Sequence, residues 1–227
     1  MDFQPKILYE DKYVALCEKP VGFLSEPGGA KSLPDALAAY YAAKGESAYI
    51  ATVHRLDKVT GGVMLFSRSR ELTGALTAAI AERKFRKEYL AVLRGAPEKD
   101  SDTLEDLLFR DSAKNKTYVV TRMRKGVREA SLSYETVGKA EANGKELTLV
   151  QVLLHTGRTH QIRAQFSSRG LPLLGDIRYG SKDADTSAAL WAYRLTFTHP
   201  LTKKEISVCC PPPQSYPWNL FDFLKKP

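Results

Sequence analysis

The sequence predicts an α+β protein: one domain over residues 1–227, with a mainly antiparallel mixed sheet flanked by helices and loops. Three observations carry that expectation. Segments with strand-like composition outnumber segments with helical spacing, and most neighbouring strands are joined by short turns, the signature of hairpin-built sheets. No Gly-rich strand-to-helix fingerprint is present, which argues against a Rossmann fold. The length of 227 residues fits one large domain or two intimate halves.

Taken in order, "KILYEDKYVALCEKP" reads as a hairpin of two apolar runs around "EDK", closed by Pro20. "SLPDALAAYYAAKG" reads as a helix with Ser32 as N-cap, Pro34 in its first turn and Gly45 ending it. "VHRLDKVTGGVMLFSRS" reads as strand, turn, strand around Thr60-Gly61-Gly62. In "SRELTGALTAAIAERKF", Leu72, Leu76, Ala79, Ile80 and Arg83 recur at helical spacing, with a basic C-terminal end that suits the helix dipole. "RKEYLAVLRG" is a short strand. A long hairpin over 128–157 turns at Asn143-Gly144, the strongest short turn signal in the chain. "RTHQIRAQFSSRG" reads as a helix capped by Thr159 and stopped by Gly170. The last hairpin, "WAYRLTFTHPLTKKEISVCCPPP", ends in prolines that cannot extend a sheet.

Composition narrows the function classes. Hydrophobic residues at 43% and charged ones at 26% are ordinary for a globular protein. Lys and Arg total 34 against 26 Asp and Glu, a formal charge of +8 that suits a polyanionic partner. Three cysteines, Cys17 and the adjacent Cys209-Cys210, match neither a disulfide framework nor a zinc site. Cys17, flanked by strand residues, reads as a small buried hydrophobe. No apolar run approaches the roughly 18 residues of a membrane span, and the start carries no signal-peptide pattern. The expected location is the cytoplasm.

Four clusters carry candidate chemistry. Asp57 lies between Arg55 and the Thr60-Gly61-Gly62 turn. On one reading its side chain caps that turn. On the other it is a nucleophile or base, aimed by the turn and kept ionised by a nearby cation. The second cluster, "HTGRTHQIR", puts Arg158, His160 and Arg163 near a helix start, where an arginine can pair with Asp57 or clamp a phosphate. The plainer alternative is an exposed helix end. Tyr89, in the third, is either a core aromatic or a ring set against a flat heterocycle. The fourth is residues 110–128, where seven Lys and Arg face a single Asp, a local charge of +6. With Tyr118 interleaved, it suits a loop that grips phosphates and stacks a base; its alternative is a solvated hairpin. P-loop, G-x-S-x-G and H-E-x-x-H signatures are absent, and the four histidines lack metal-ligand spacing.

These phrases in this order resemble the RluA-type pseudouridine synthases. "HRLDKVTGGVMLF" is similar to the family's H-R-L-D-x-x-T-S-G signature, and "EKPVGFLSEPG" to its early N-K-P-x-G phrase. "KEYLAVLRG", "GRTHQIR", "LLGDIRYG" and the late His-Pro corner match four further phrases, so the likeness spans residues 18 to 213. Two positions depart from the pattern: Gly61 stands where serine is usual and Glu18 where asparagine is usual.

The resemblance implies a pseudouridine synthase fold with an active-site cleft across the sheet. It implies catalytic roles for Asp57, Tyr89 and Arg163, with Arg163 the basic partner of the aspartate. It implies RNA contacts from His54, Arg55, Arg158, His160, Gln161, Lys114, Lys116, Arg122, Arg124 and Lys125. The substrate would be ribosomal or transfer RNA and the enzyme an isomerase that uses no cofactor and no metal. A monomer with no membrane association is expected, and no separate N-terminal RNA-binding module. Asp57 would attack C6 of the uracil or C1′ of the ribose, or abstract the C2′ proton. Two rival readings are a non-catalytic RNA-binding protein or RNA-folding chaperone on the same scaffold, and an enzyme acting on a small uracil compound.

Overall fold

The computed structural model describes residues 3–184 and 186–222. Its strands are β1 (Ile7–Glu10), β2 (Val14–Lys19), β3 (Ala51–Thr52), β4 (Gly61–Ser67), β5 (Arg86–Arg94), β6 (Ser101–Asp111), β7 (Lys116–Val120), β8 (Val127–Ala142), β9 (Lys145–Leu154), β10 (Leu190–Thr198) and β11 (Glu205–Cys209). Its helices are α1 (Leu33–Ala43), α2 (Arg70–Ala81) and α3 (Gln161–Ser167). The α+β class and the mostly antiparallel sheet agree with the sequence. The chain divides into two compact units: residues up to 87 with 192–211, and residues 88–191 with the described residues after 211.

In the first unit the strands run β1-β2-β4-β10, with β3 on β4 and β11 on β10. β2 and β4 pair antiparallel from Val14–Ser67 to Lys19–Gly62. All seven residues of β4 are buried, and Leu16, Leu65 and Phe66 are fully shielded from water. α1 starts where expected: the Ser32 side chain accepts the Asp35 N–H at 3.3 Å, and Leu33, Leu37 and Tyr41 are buried. α2 buries Leu72 and Leu76 but ends at Ala81, with no basic residue in its last turn. The expected basic helix end therefore lies beyond the helix, where Arg83 turns left-handed at φ 60°. Nor do residues 53–57 form a strand; β3 stops at Thr52.

The second unit orders its strands β5-β9-β8-β6-β7. The β8–β9 hairpin turns at Asn143 and Gly144, with φ 54° and 66°, the two positive values that a type I′ turn requires. The stretch 110–128, expected from its charge as a basic loop, holds the last two residues of β6, all of β7 and the first two residues of β8. β6 pairs with β8 from Ser101–Glu135 to Phe109–Val127, and with β7 from Leu107–Val120 to Asp111–Lys116. α3 begins one residue later than expected. Its N-cap is His160, left-handed at φ 53°, and not Thr159. Among the described residues no side-chain hydrogen bond caps α3; Gln161, its first residue, instead ties the helix to the preceding segment, its Oε1 accepting the Thr156 hydroxyl at 2.8 Å and the Arg158 N–H at 3.0 Å. Gly170, at φ 74°, ends the segment as expected.

Candidate active site

Asp57 sits in a loop whose two neighbouring residues are pinned by the segment from Lys19 to Ser25. Ser25 Oγ accepts the Leu56 N–H at 3.0 Å and donates to the Leu56 carbonyl at 2.7 Å. On the other side, the Lys58 carbonyl accepts the Gly22 N–H at 2.7 Å and faces Lys19 Nζ at 3.4 Å. The turn itself is closed by backbone, Thr60 N–H to the Asp57 carbonyl at 2.9 Å. Conformational freedom at Asp57 is therefore restricted from both directions. Thr60 is buried, and its Oγ1 finds no hydrogen-bond partner among the described residues.

Lys19 is the cation that this unit brings toward Asp57. Its side chain is fully buried, and Nζ also donates to the carbonyls of Phe23 at 2.8 Å and Pro20 at 3.1 Å. Burial pulls its pKa down to about 8, and the negative charge of Asp57 opposes part of that fall. Lys19 is not among the candidate residues named from the sequence, although two signals were present: it ends the apolar run "VALCEK", and it is the lysine of "EKP", similar to the family's N-K-P-x-G phrase.

Gly62 shapes the far end of the same loop. It has φ 114°, and a Cβ there would stand 2.2 Å from the Ala192 carbonyl oxygen. His54, expected as an RNA contact, has another duty: its Nε2 accepts the Leu65 N–H at 3.0 Å. Burial and the neighbouring Lys87 charge push its pKa down to about 3. Arg55 is exposed and paired with Glu26 at 3.0 Å.

In the second unit Tyr89 is buried on β5. Arg163 is buried too. Its Nε and one terminal nitrogen donate to Asp176 Oδ2 and Oδ1 at 2.6 and 2.8 Å, a bidentate ion pair, and its guanidinium lies 4.8 Å from the Tyr179 ring centre. Tyr179 accepts the Thr117 N–H at 2.8 Å and its hydroxyl lies 3.0 Å from His160 Nδ1. Lys116 Nζ is 5.1 Å from the same ring. Gln161 is buried, with Nε2 donating to the Ser131 carbonyl at 3.1 Å, so its amide serves the fold. Arg158 Nε donates to the Glu129 carbonyl at 2.9 Å. Lys114, Arg122, Arg124 and Lys125 are exposed, with Arg124 lying 4.9 Å over the Phe109 ring.

Residues 13–168 match the family model described as RNA pseudouridylate synthase. The chain belongs to the RNA pseudouridylate synthase family. Among curated relatives, an RNA pseudouridine synthase of Aquifex aeolicus, itself uncharacterized by name, is 36% identical over 88% of this chain and 66% of its own length. The ribosomal large subunit pseudouridine synthase C of Salmonella typhimurium is 31% identical over 90% of this chain and 66% of its own. This chain thus spans about two thirds of the length of such relatives. The fold is shared with the solved human RNA pseudouridylate synthase domain containing 1, at a TM-score of 0.79 and 21% identity over 93% of this chain and 85% of that one. Among the described residues, no helix is long and apolar enough to cross a membrane.

Proposed function

We propose that this chain is an RNA pseudouridine synthase that uses Asp57 as its catalytic carboxylate. The observation that supports this most is the pinning of Leu56 and Lys58 on either side of Asp57, with the buried Lys19 ammonium close by. Such a carboxylate is preorganised in position and in charge environment, which is what attack on, or deprotonation of, a nucleotide requires.

The reaction is an isomerisation and conserves atoms. The N1–C1′ bond of uridine breaks, the base turns, C5 bonds to C1′, and the C5 proton is lost as N1 gains one. The target uridine leaves its stack first, at a cost of a few kcal/mol. Phosphate contacts from Lys114, Lys116, Arg122, Arg124 and Lys125 supply binding energy that falls as salt rises. Arg55 and Arg158 add to that grip. Tyr89 and Arg163 complete the catalytic set that the family phrases suggest, Tyr89 toward the base and Arg163 as a cation.

Ribosomal RNA is the favoured substrate, given the Salmonella relative's name, with transfer RNA the alternative. We take residues 1–227 as one catalytic domain, acting in the cytoplasm as a monomer without cofactor or metal. Asp57→Asn tests the central claim on ribosomal and transfer RNA lacking the modification. Pseudouridine should form with wild type and vanish with the variant, while RNA binding persists. Turnover by Asp57→Asn would refute the assignment, and binding without turnover by wild type would favour the non-catalytic reading.

A further inference from the structure

Arg163 and strand β7, which begins with Lys116, meet at one side chain. Tyr179 is buried, packed with Leu108, Ala130 and Ala164, and Val119 of β7 joins the same cluster. One face of its ring region takes the Arg163 guanidinium at 4.8 Å, and Lys116 Nζ lies 5.1 Å from the ring centre. Its hydroxyl accepts the Thr117 N–H. The same hydroxyl shares a hydrogen bond with His160 Nδ1, 3.0 Å away, in a direction set by the histidine tautomer. Burial raises the pKa of this hydroxyl above its ordinary value.

The loop that delivers Tyr179 is itself fixed. Gly175 cannot carry a Cβ, which would lie 2.4 Å from the Ser187 carbonyl oxygen. The Tyr179 N–H returns to the Asp176 carbonyl at 3.0 Å, and Ser167 Oγ donates to the Tyr179 carbonyl at 2.6 Å. Arg178, next in sequence, donates to the carbonyls of Asn115 and Lys114 at 2.7 and 3.2 Å, in the turn that leads into β7. Asp176 meanwhile holds the edge of Arg163. A single short loop therefore grips both the arginine and the turn that leads into β7.

We infer that Tyr179 is a positioning residue: its ring seats Arg163, and its hydroxyl fastens β7 to the His160 turn, so that RNA held on β7 and the arginine keep one register. This rests on the synthase reading above. It divides the side chain into two separable parts. The hydroxyl governs how well β7 and its flanking turns present Lys114, Lys116 and Arg122 to RNA. The ring governs where the Arg163 guanidinium lies.

Tyr179→Phe keeps the ring and removes the hydroxyl; Tyr179→Leu removes both. In the full chain, loss of one buried hydrogen-bond hub should weaken RNA binding and raise KM on the order of tenfold in Tyr179→Phe, with kcat within about threefold of wild type. Losing the cation–π seat as well should lower kcat on the order of tenfold in Tyr179→Leu. The Arg163 Nε–H signal in a ¹H–¹⁵N spectrum, assigned through Arg163→Lys, reports without any turnover. It should match wild type in Tyr179→Phe and shift or exchange faster in Tyr179→Leu. If both variants lower thermal stability but leave RNA affinity, the KM-to-kcat split and the Arg163 signal unchanged, Tyr179 is only a core aromatic and the inference fails. If wild-type protein makes no pseudouridine, the synthase reading fails, while RNA affinity and the Arg163 signal still decide the role of Tyr179.

Discussion

Ser25 grips Leu56 from both sides, its hydroxyl oxygen accepting the N–H at 3.0 Å and its proton going to the carbonyl at 2.7 Å. Both Ser25 and Leu56 are buried, so no water replaces these bonds. Ser25→Ala leaves two backbone groups without partners and should destabilise the protein by about 2–4 kcal/mol, read as a lower urea midpoint. It also frees one side of Asp57, so kcat should fall in protein that is still folded.

Lys19 should leave a signature in the pH dependence of stability. Its folded pKa of about 8 lies below its ordinary value of 10.5, so the unfolded chain binds the extra proton between those pH values. Stability contributed by this group therefore rises with pH across that window, by at most roughly 3 kcal/mol. Comparing wild type with Lys19→Met by denaturant titration at pH 7.5 and 10 isolates the effect. The gap between them should move in favour of wild type at the higher pH. An unchanged gap would show that the ammonium is not desolvated as the structure has it.

Gly62 admits no substitute. A methyl group there meets the Ala192 carbonyl oxygen at 2.2 Å, and the backbone at φ 114° strains any L side chain. Gly62→Ala should lose at least about 3 kcal/mol or fail to accumulate as soluble protein. A Tm within about 2 °C of wild type would contradict this packing.

His54 sets an acid limit. Its imidazole is held neutral down to about pH 3, whereas the unfolded chain protonates near the ordinary value of 6.5. The stability tied to this group is intact above pH 6.5 and is lost progressively as pH falls toward 3. His54→Gln, which keeps an acceptor for the Leu65 N–H, should lose less stability than wild type between pH 6.5 and 4. His54→Leu strands that N–H and should be less stable than both at pH 7.

Much of this was legible in the sequence because local chemistry and tertiary structure agree. Ser32 caps α1, and Asn143-Gly144 turns the long hairpin, since each residue satisfies a purely local backbone need. β6 was not legible. "SDTLEDLLFRD" breaks apolar alternation with acids at 105 and 106, and only Leu104 and Leu108 are buried along it. Its strand state is imposed by β8 and β7 on either side. The start of α3 was not legible either. Thr159 has the chemistry of a cap, but the helix opens one residue later at a left-handed His160, and Gln161 turns its amide back to Thr156 and Arg158. The environment of Lys19 was not legible: the "EKP" phrase marks the lysine, but nothing local shows that its ammonium is buried and satisfied by carbonyls. The family phrases did mark Asp57, yet only the folded loop shows that its neighbours are the fixed points.

Strand β7 closes the series β5-β9-β8-β6-β7 and has only five residues. An outermost strand of this kind is a template for unwanted pairing with a second molecule, and flanking positive charge is a common safeguard. Here Lys114, Lys116 and Arg122 provide it. A polyanion that neutralises those charges without covering the strand, such as a short oligonucleotide near charge equivalence, would lift the safeguard. Self-association and turbidity should then peak at that mixing ratio and clear again in excess polyanion.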